Sequence, residues 1–140
     1  MELPERMRIT RKIESDEDMF EDIFDVLEII RERPQLYFGE KSVTELGRFL
    51  SAYQFAMART TGVICSFDHL FQLFTEYKYR EVFPKNHWDK MLKYHNVRDD
   101  IGFDIFFVFL DEFKKLYRSG ELENVLKWWD SEKHKALIQK

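Results

Sequence analysis

A single cysteine, Cys65, leaves the chain no partner for an intramolecular disulfide. Stability has to come from burial, and one cysteine fits a reducing compartment. Glycine and proline are also scarce, at 5 and 3 of 140 residues, which argues for helices with short connections over a turn-rich β fold. No run approaches the roughly 18 consecutive apolar residues of a membrane-spanning helix. The opening MELPERMRIT has no apolar h-region, so no signal peptide is expected and the cytoplasm is the expected location. The chain lacks G-x-S-x-G, a P-loop, G-x-G-x-x-G, C-x-x-C and H-E-x-x-H, so neither an enzyme nor a cofactor is expected. Net charge is −4, the wrong sign for nucleic acid as main partner.

Large apolar side chains are plentiful. Hydrophobic residues make up 44% and aromatics 16%, with 14 phenylalanines. A chain of this length and composition closes a core as one domain, burying roughly 68% of its unfolded surface. The stretch Ile101 to Tyr117 is the greasiest. Phe103, Phe106, Phe107, Leu110, Phe113 and Tyr117 recur at helical spacing, and Ile105, Phe109 and Leu116 add a second stripe. Asp99 or Asp100 can cap its start, and Gly120 follows its end. A buried strand over Ile105 to Leu110 is the competing reading, but the length of the run and its end signals favour a helix. Apolar on two sides, that helix needs cover on two sides. The expected fold is all-α: a single domain, 1–140, of five to six helices bundled around a central helix at about 101–117. Residues 1–13 form a flexible or loosely docked arm.

The remaining helices follow the same signals. Ser15 and Asp18 open the first, whose inward stripe is Phe20, Ile23, Leu27 and Ile30, and Pro34 ends it. A turn through Leu36, Tyr37 and Gly39 leads to the capping box Ser42-x-x-Glu45 and a helix bearing Val43, Leu46, Phe49, Leu50, Tyr53 and Met57. Gly47 inside it points to close approach of another helix. Ser66 and Asn86 are expected to cap two further helices, separated by a connection at Pro84. A last helix carries Leu122, Val125, Leu126, Trp129 and Leu137, with a basic tail that includes Lys140. Trp128 and Trp129 are adjacent and point about 100° apart, so only one can face the core. An exposed tryptophan there would be an interface anchor.

The first helix has an unusual outer face. Glu14, Asp16, Glu17, Asp18, Glu21, Asp22, Asp25 and Glu28 run without a lysine or arginine between them. A solvated, well-capped helix explains this, and so does an anionic patch for a basic partner. Calcium does not, because the spacing misses the loop pattern and a helix splays these carboxylates. His69, His87, His95 and His134 form no tight ligand pair, so no metal is expected. Cys65 beside a helix start could gain thiolate character, but nothing else marks a nucleophile. Tyr77-Lys78-Tyr79-Arg80 interleaves rings and cations, as single-stranded nucleic-acid sites do, but reads better as an amphipathic rim.

Taken together, Arg33-Pro34-x-Leu36-Tyr37-x-Gly39, then Ser42-x-x-x-Leu46-x-x-Phe49-Leu50-x-x-Tyr53, then Trp88, Asp99-Asp100 and Phe103-Asp104-x-Phe106-Phe107-x-x-Leu110-Asp111-Glu112-Phe113, resemble a motif of small helical bacterial proteins. These are the immunity proteins of contact-dependent growth inhibition and other polymorphic toxin systems. The resemblance spans about Ile30 to Phe113. It implies a non-enzymatic antidote that binds one cognate toxin domain, often a nuclease with a cationic cleft, and covers its active site. In that reading Leu36 and Tyr37 plug a helix junction. Asp18, Glu21, Asp22 and Asp25 are the expected contacts in a one-to-one complex with a basic toxin domain, without nucleic acid or membrane. The rival reading is a helical adaptor with a non-toxin partner.

Overall fold

Three of the five glycines close helices in the left-handed conformation: Gly39, Gly62 and Gly120, with φ of +77°, +77° and +80°. Only glycine adopts that turn without a Cβ penalty. The computed structural model describes residues 12–82 and 87–138. The expectations for the arm up to residue 11, for Pro84 and Asn86, and for the side chains of Leu137 and Lys140 lie outside the described residues and side chains.

Among the described residues the chain forms seven helices and no strand. They are α1 (Asp16–Glu32), α2 (Pro34–Phe38), α3 (Val43–Thr61), α4 (Phe67–Tyr79), α5 (Trp88–Asn96), α6 (Asp99–Ser119) and α7 (Leu122–Ile138). The all-α expectation holds, but seven helices are one more than the upper end of the expected five to six. The extra element is α2, where a simple turn was expected. Pro34 supplies the fixed φ that suits a first helical position, and Gly39 closes the turn by donating its N–H to the Gln35 carbonyl at 2.9 Å. One turn of helix also corrects the expected plug. Pro34 and Phe38, four apart, face inward, and Phe38 meets the Phe49 ring at 6.0 Å. Leu36 and Tyr37 are consequently turned outward, at 66% and 38% exposure.

The apolar run at Ile105 to Leu110 is helical and lies within α6. Phe103, Phe106, Phe107, Phe109, Leu110 and Phe113 are buried, and Ile105, Leu116 and Tyr117 pack half-buried against the same core. Phe113 stands at its centre. The rings of Phe20 and Phe24 from α1 and of Phe67, Phe71 and Phe74 from α4 have centroids 5.3 to 6.3 Å from its own. Phe71 passes the column on to Trp88 of α5 and Phe106, at 5.4 and 5.0 Å.

Helix starts are tied across elements. Ser15 and Ser42 cap α1 and α3 as expected, accepting from the N–H of Asp18 and Glu45 at 3.1 and 3.0 Å. Asp99 does not cap its own helix, whose cap position is Arg98. Its carboxylate instead accepts from the Thr44 N–H at 3.1 Å, the Thr44 hydroxyl at 2.8 Å and the Ser42 hydroxyl, serving the start of α3. Ser66 occupies the cap position of α4, but its hydroxyl donates to Asp16 at 2.6 Å and makes no capping bond.

Gly47 is where α5 comes close to α3. A Cβ there would lie 2.4 Å from Oδ2 of Asp89 and 2.8 Å from its Cβ. Gly47→Ala should therefore lower stability by about 1–3 kcal/mol through overpacking, despite a helix-propensity gain of about 1 kcal/mol. A thermal melt reads it, and an unchanged or raised Tm would mean that α5 yields freely. Asp99 gives a pH signature. Burial disfavours its charge, but the bonds from Ser42 and Thr44 and the charge of Lys93 outweigh that, so its pKa falls below the usual carboxylate value. A group lowered on folding stabilises above its unfolded pKa and loses that contribution as pH falls through the folded one. Asp99→Asn should be less stable than wild type near pH 7, and the gap should close as the pH of urea melts is lowered from about 5 to about 2.

Candidate functional site

The inward stripe of α1 (Phe20, Ile23, Phe24, Leu27 and Ile30) is fully buried, so its acidic residues are left to the flanks and the outer face. On one flank lies α6, running antiparallel. Arg118 grips Glu21 with two bonds, Nε to Oε1 at 3.2 Å and Nη2 to Oε2 at 2.8 Å. One turn back along α6, Lys114 donates to Glu28 at 2.8 Å, and Arg31 returns a bidentate pair to Asp111 at 2.8 and 2.9 Å. On the other flank lies α3, whose Tyr53 hydroxyl donates to Asp22 in a short hydrogen bond.

The four expected contact residues thus differ in their surroundings. Glu21 lies in the ladder to α6, and Asp22 is held by Tyr53. Asp18 is half-buried and accepts the backbone N–H of Glu14 at 3.0 Å, closing the first turn of α1. Asp25 and Glu17 are exposed on the outer face, and Glu14, just ahead of the helix, is exposed and pairs with Lys12 at 3.0 Å. Together they form one continuous face along the first three turns of α1. At Asp16 and Asp22 the donors are hydroxyls, which add no positive charge.

The field of this face is felt by its neighbours. The Tyr117 hydroxyl is pushed up to about 12, first by burial and then by Glu17, Asp16 and Glu21. The Tyr53 hydroxyl is raised by burial, by its bond to Asp22 and by the charges of Asp22 and Asp25. Cys65 does not gain thiolate character from the nearby helix start. Burial pushes its thiol up to about 12, against a lowering bond from the Phe67 N–H, and Asp16 and Asp68 add to the rise. It is a packing residue that accepts this N–H at 3.4 Å.

The other singled-out residues find internal tasks. His87 pairs with Asp89 at 2.9 Å, and His95 stacks on Tyr79 at 3.9 Å and meets Glu81 at 2.8 Å. Among the described residues no group of His, Cys, Asp and Glu converges as metal ligands, and no helix is long and apolar enough to cross a membrane. Trp129 is the inward tryptophan; its indole N–H donates to the buried Glu76 at 3.3 Å, whereas Trp128 is 48% exposed. The cations of α6 that flank α1 escaped the sequence reading. The reversed charge order, Glu21, Glu28 and Arg31 against Arg118, Lys114 and Asp111, becomes meaningful only once the two helices are known to be antiparallel.

The two flanks should differ in energetic weight. Tyr53→Phe removes the donor to a half-buried carboxylate and should cost about 1–3 kcal/mol. Glu21→Gln breaks a largely solvated pair and should cost about 0–1 kcal/mol. Urea melts of the two variants would rank them, and the opposite order would make the α6 ladder the stronger clamp on α1. Compared with protein-family models, curated proteins and solved structures, the chain has no match.

Proposed function

We propose that this chain is a non-enzymatic binding protein of the immunity type. It would hold one cognate toxin domain in a one-to-one complex in the cytoplasm and cover that domain's active site. The observation that carries the reading is the anionic outer face of α1 on a rigidly anchored helix. Asp25 and Glu17 are exposed there, Glu14 just ahead of the helix is exposed and paired with Lys12 at 3.0 Å, and Asp18 and Asp22 are already oriented by backbone and tyrosine donors. A partner pays little ordering cost at such a face. A cationic cleft built to receive phosphates, as in a nuclease, is the surface it fits. Complementary charge also speeds encounter, toward about 10⁸–10⁹ M⁻¹s⁻¹ at low salt, which suits an antidote. Glu21 contributes less, because Arg118 already offsets its charge.

Co-expression with the protein encoded immediately upstream, followed by size-exclusion chromatography and a growth assay, tests this. The expected result is a one-to-one complex and rescued growth. Reversal of Asp25 to lysine should then weaken binding at least about tenfold, mainly through slower association, with Tm little changed. Growth left unrescued, or a native complex holding a housekeeping protein instead, would replace the antidote reading with that of an adaptor.

A further inference from the structure

Arg80 ends α4 in the left-handed conformation, with φ of +53°. Three other helices end on glycine in that conformation, where no side chain is strained. An L-residue adopts it only against a Cβ clash, so the Arg80 side chain comes with backbone strain. The side chain also has defined contacts. Its guanidinium lies 4.1 Å from the Tyr77 ring centroid and 4.9 Å from that of Trp128. The two rings are 6.0 Å apart and perpendicular, at 89°, so the cation sits in the corner between them. Nη1 donates to the Tyr77 carbonyl. Among the described residues no carboxylate pairs with Arg80, although it is exposed.

Beside it is a cleft of about 360 Å³ between the end of α4 and α7, lined by Tyr77, Arg80, Asn124, Val125 and Trp128. Val125 and the two rings give it an apolar lining. Asn124, exposed at its edge, offers an amide that can bond a peptide backbone. Tryptophan, tyrosine and arginine are the residue types that most often anchor interfaces. We infer that this cleft is a second docking surface, which takes an acidic peptide segment of a partner protein. Arg80 would bind a carboxylate, and an adjoining apolar side chain would enter between Trp128 and Val125.

Charge decides between this occupant and single-stranded nucleic acid. A phosphate chain calls for a row of cations. Here Lys78 is paired with Glu112 at 2.6 Å and Lys127 with Glu123 at 2.9 Å, which leaves Arg80, among the described residues, as the cation lining the cleft. A single planar guanidinium suits one carboxylate. The surface lies at the opposite end of α4 from Asp16 and Ser66, so it stands independently of the α1 reading.

The test uses the full chain, with the Trp128 indole N–H as reporter in ¹H–¹⁵N spectra. The probe is the peptide acetyl-Ala-Leu-Glu-Leu-Ala-amide, with its glutamine counterpart and an oligothymidylate as controls. Saturable shifts with the glutamate peptide, absent with both controls, are expected. Arg80→Gly should raise its Kd at least about tenfold, while Tm stays level or rises as the backbone strain is relieved. Failure to saturate, an equal response to the glutamine peptide, a preference for the oligothymidylate, or undiminished binding by Arg80→Gly would overturn the proposal.

Discussion

The ring of Phe113 is the point on which the architecture depends. It belongs to α6, and its neighbours come from α1 and α4, so one side chain joins three helices that are far apart in sequence. Most of these contacts are edge-to-face, the geometry in which aromatic quadrupoles attract. A smaller residue at this position would open a void that five rings cannot all move to fill. Phe71 carries the same packing to Trp88, whose indole N–H, buried with the ring, finds its acceptor in Asp68 at 3.0 Å.

With the rings fixed, the polar residues have defined positions to bridge. Helix starts present backbone N–H groups that need acceptors and favour negative charge. The acidic side chains meet that need across helices. Asp16 holds Ser66 at the start of α4, and Asp99 holds Ser42 and Thr44 at the start of α3. Part of what the composition shows as excess acid is therefore committed to joining helices. A further group of them lies along the outer face of α1.

The two surfaces with partner chemistry have opposite character. The α1 face is a broad row of carboxylates on a helix braced from both sides, suited to long-range attraction. The Arg80 cleft is small and aromatic and holds one oriented cation, suited to short-range selection. Both are stiff because they rest directly on the aromatic core: α1 through Phe20 and Phe24, and the cleft through Tyr77, whose ring lies 5.9 Å from Phe74. Stiffness lowers the entropy lost on binding, whichever partner arrives.

The sequence alone determined the helical class, the single core, the boundaries of most helices and the centrality of α6, because these follow from periodicity and end signals within one segment. Gly47 was readable in the same way, as a place where a helix comes close. The short helix α2 was not, since one turn carries no periodicity and Pro34 looks the same ending one helix or opening the next. Tertiary structure decided which groups meet across elements. It turned Leu36 and Tyr37 outward, gave Asp99 to α3 and Ser66 to Asp16, half-buried the Cys65 thiol, chose Trp129 over Trp128 for the interior and set Arg118 on Glu21. Each depends on the angle and register at which two helices pack, which no residue encodes by itself. The acidic residues of α1 were visible in the chain, but only packing decided which of them are exposed and which are held between helices.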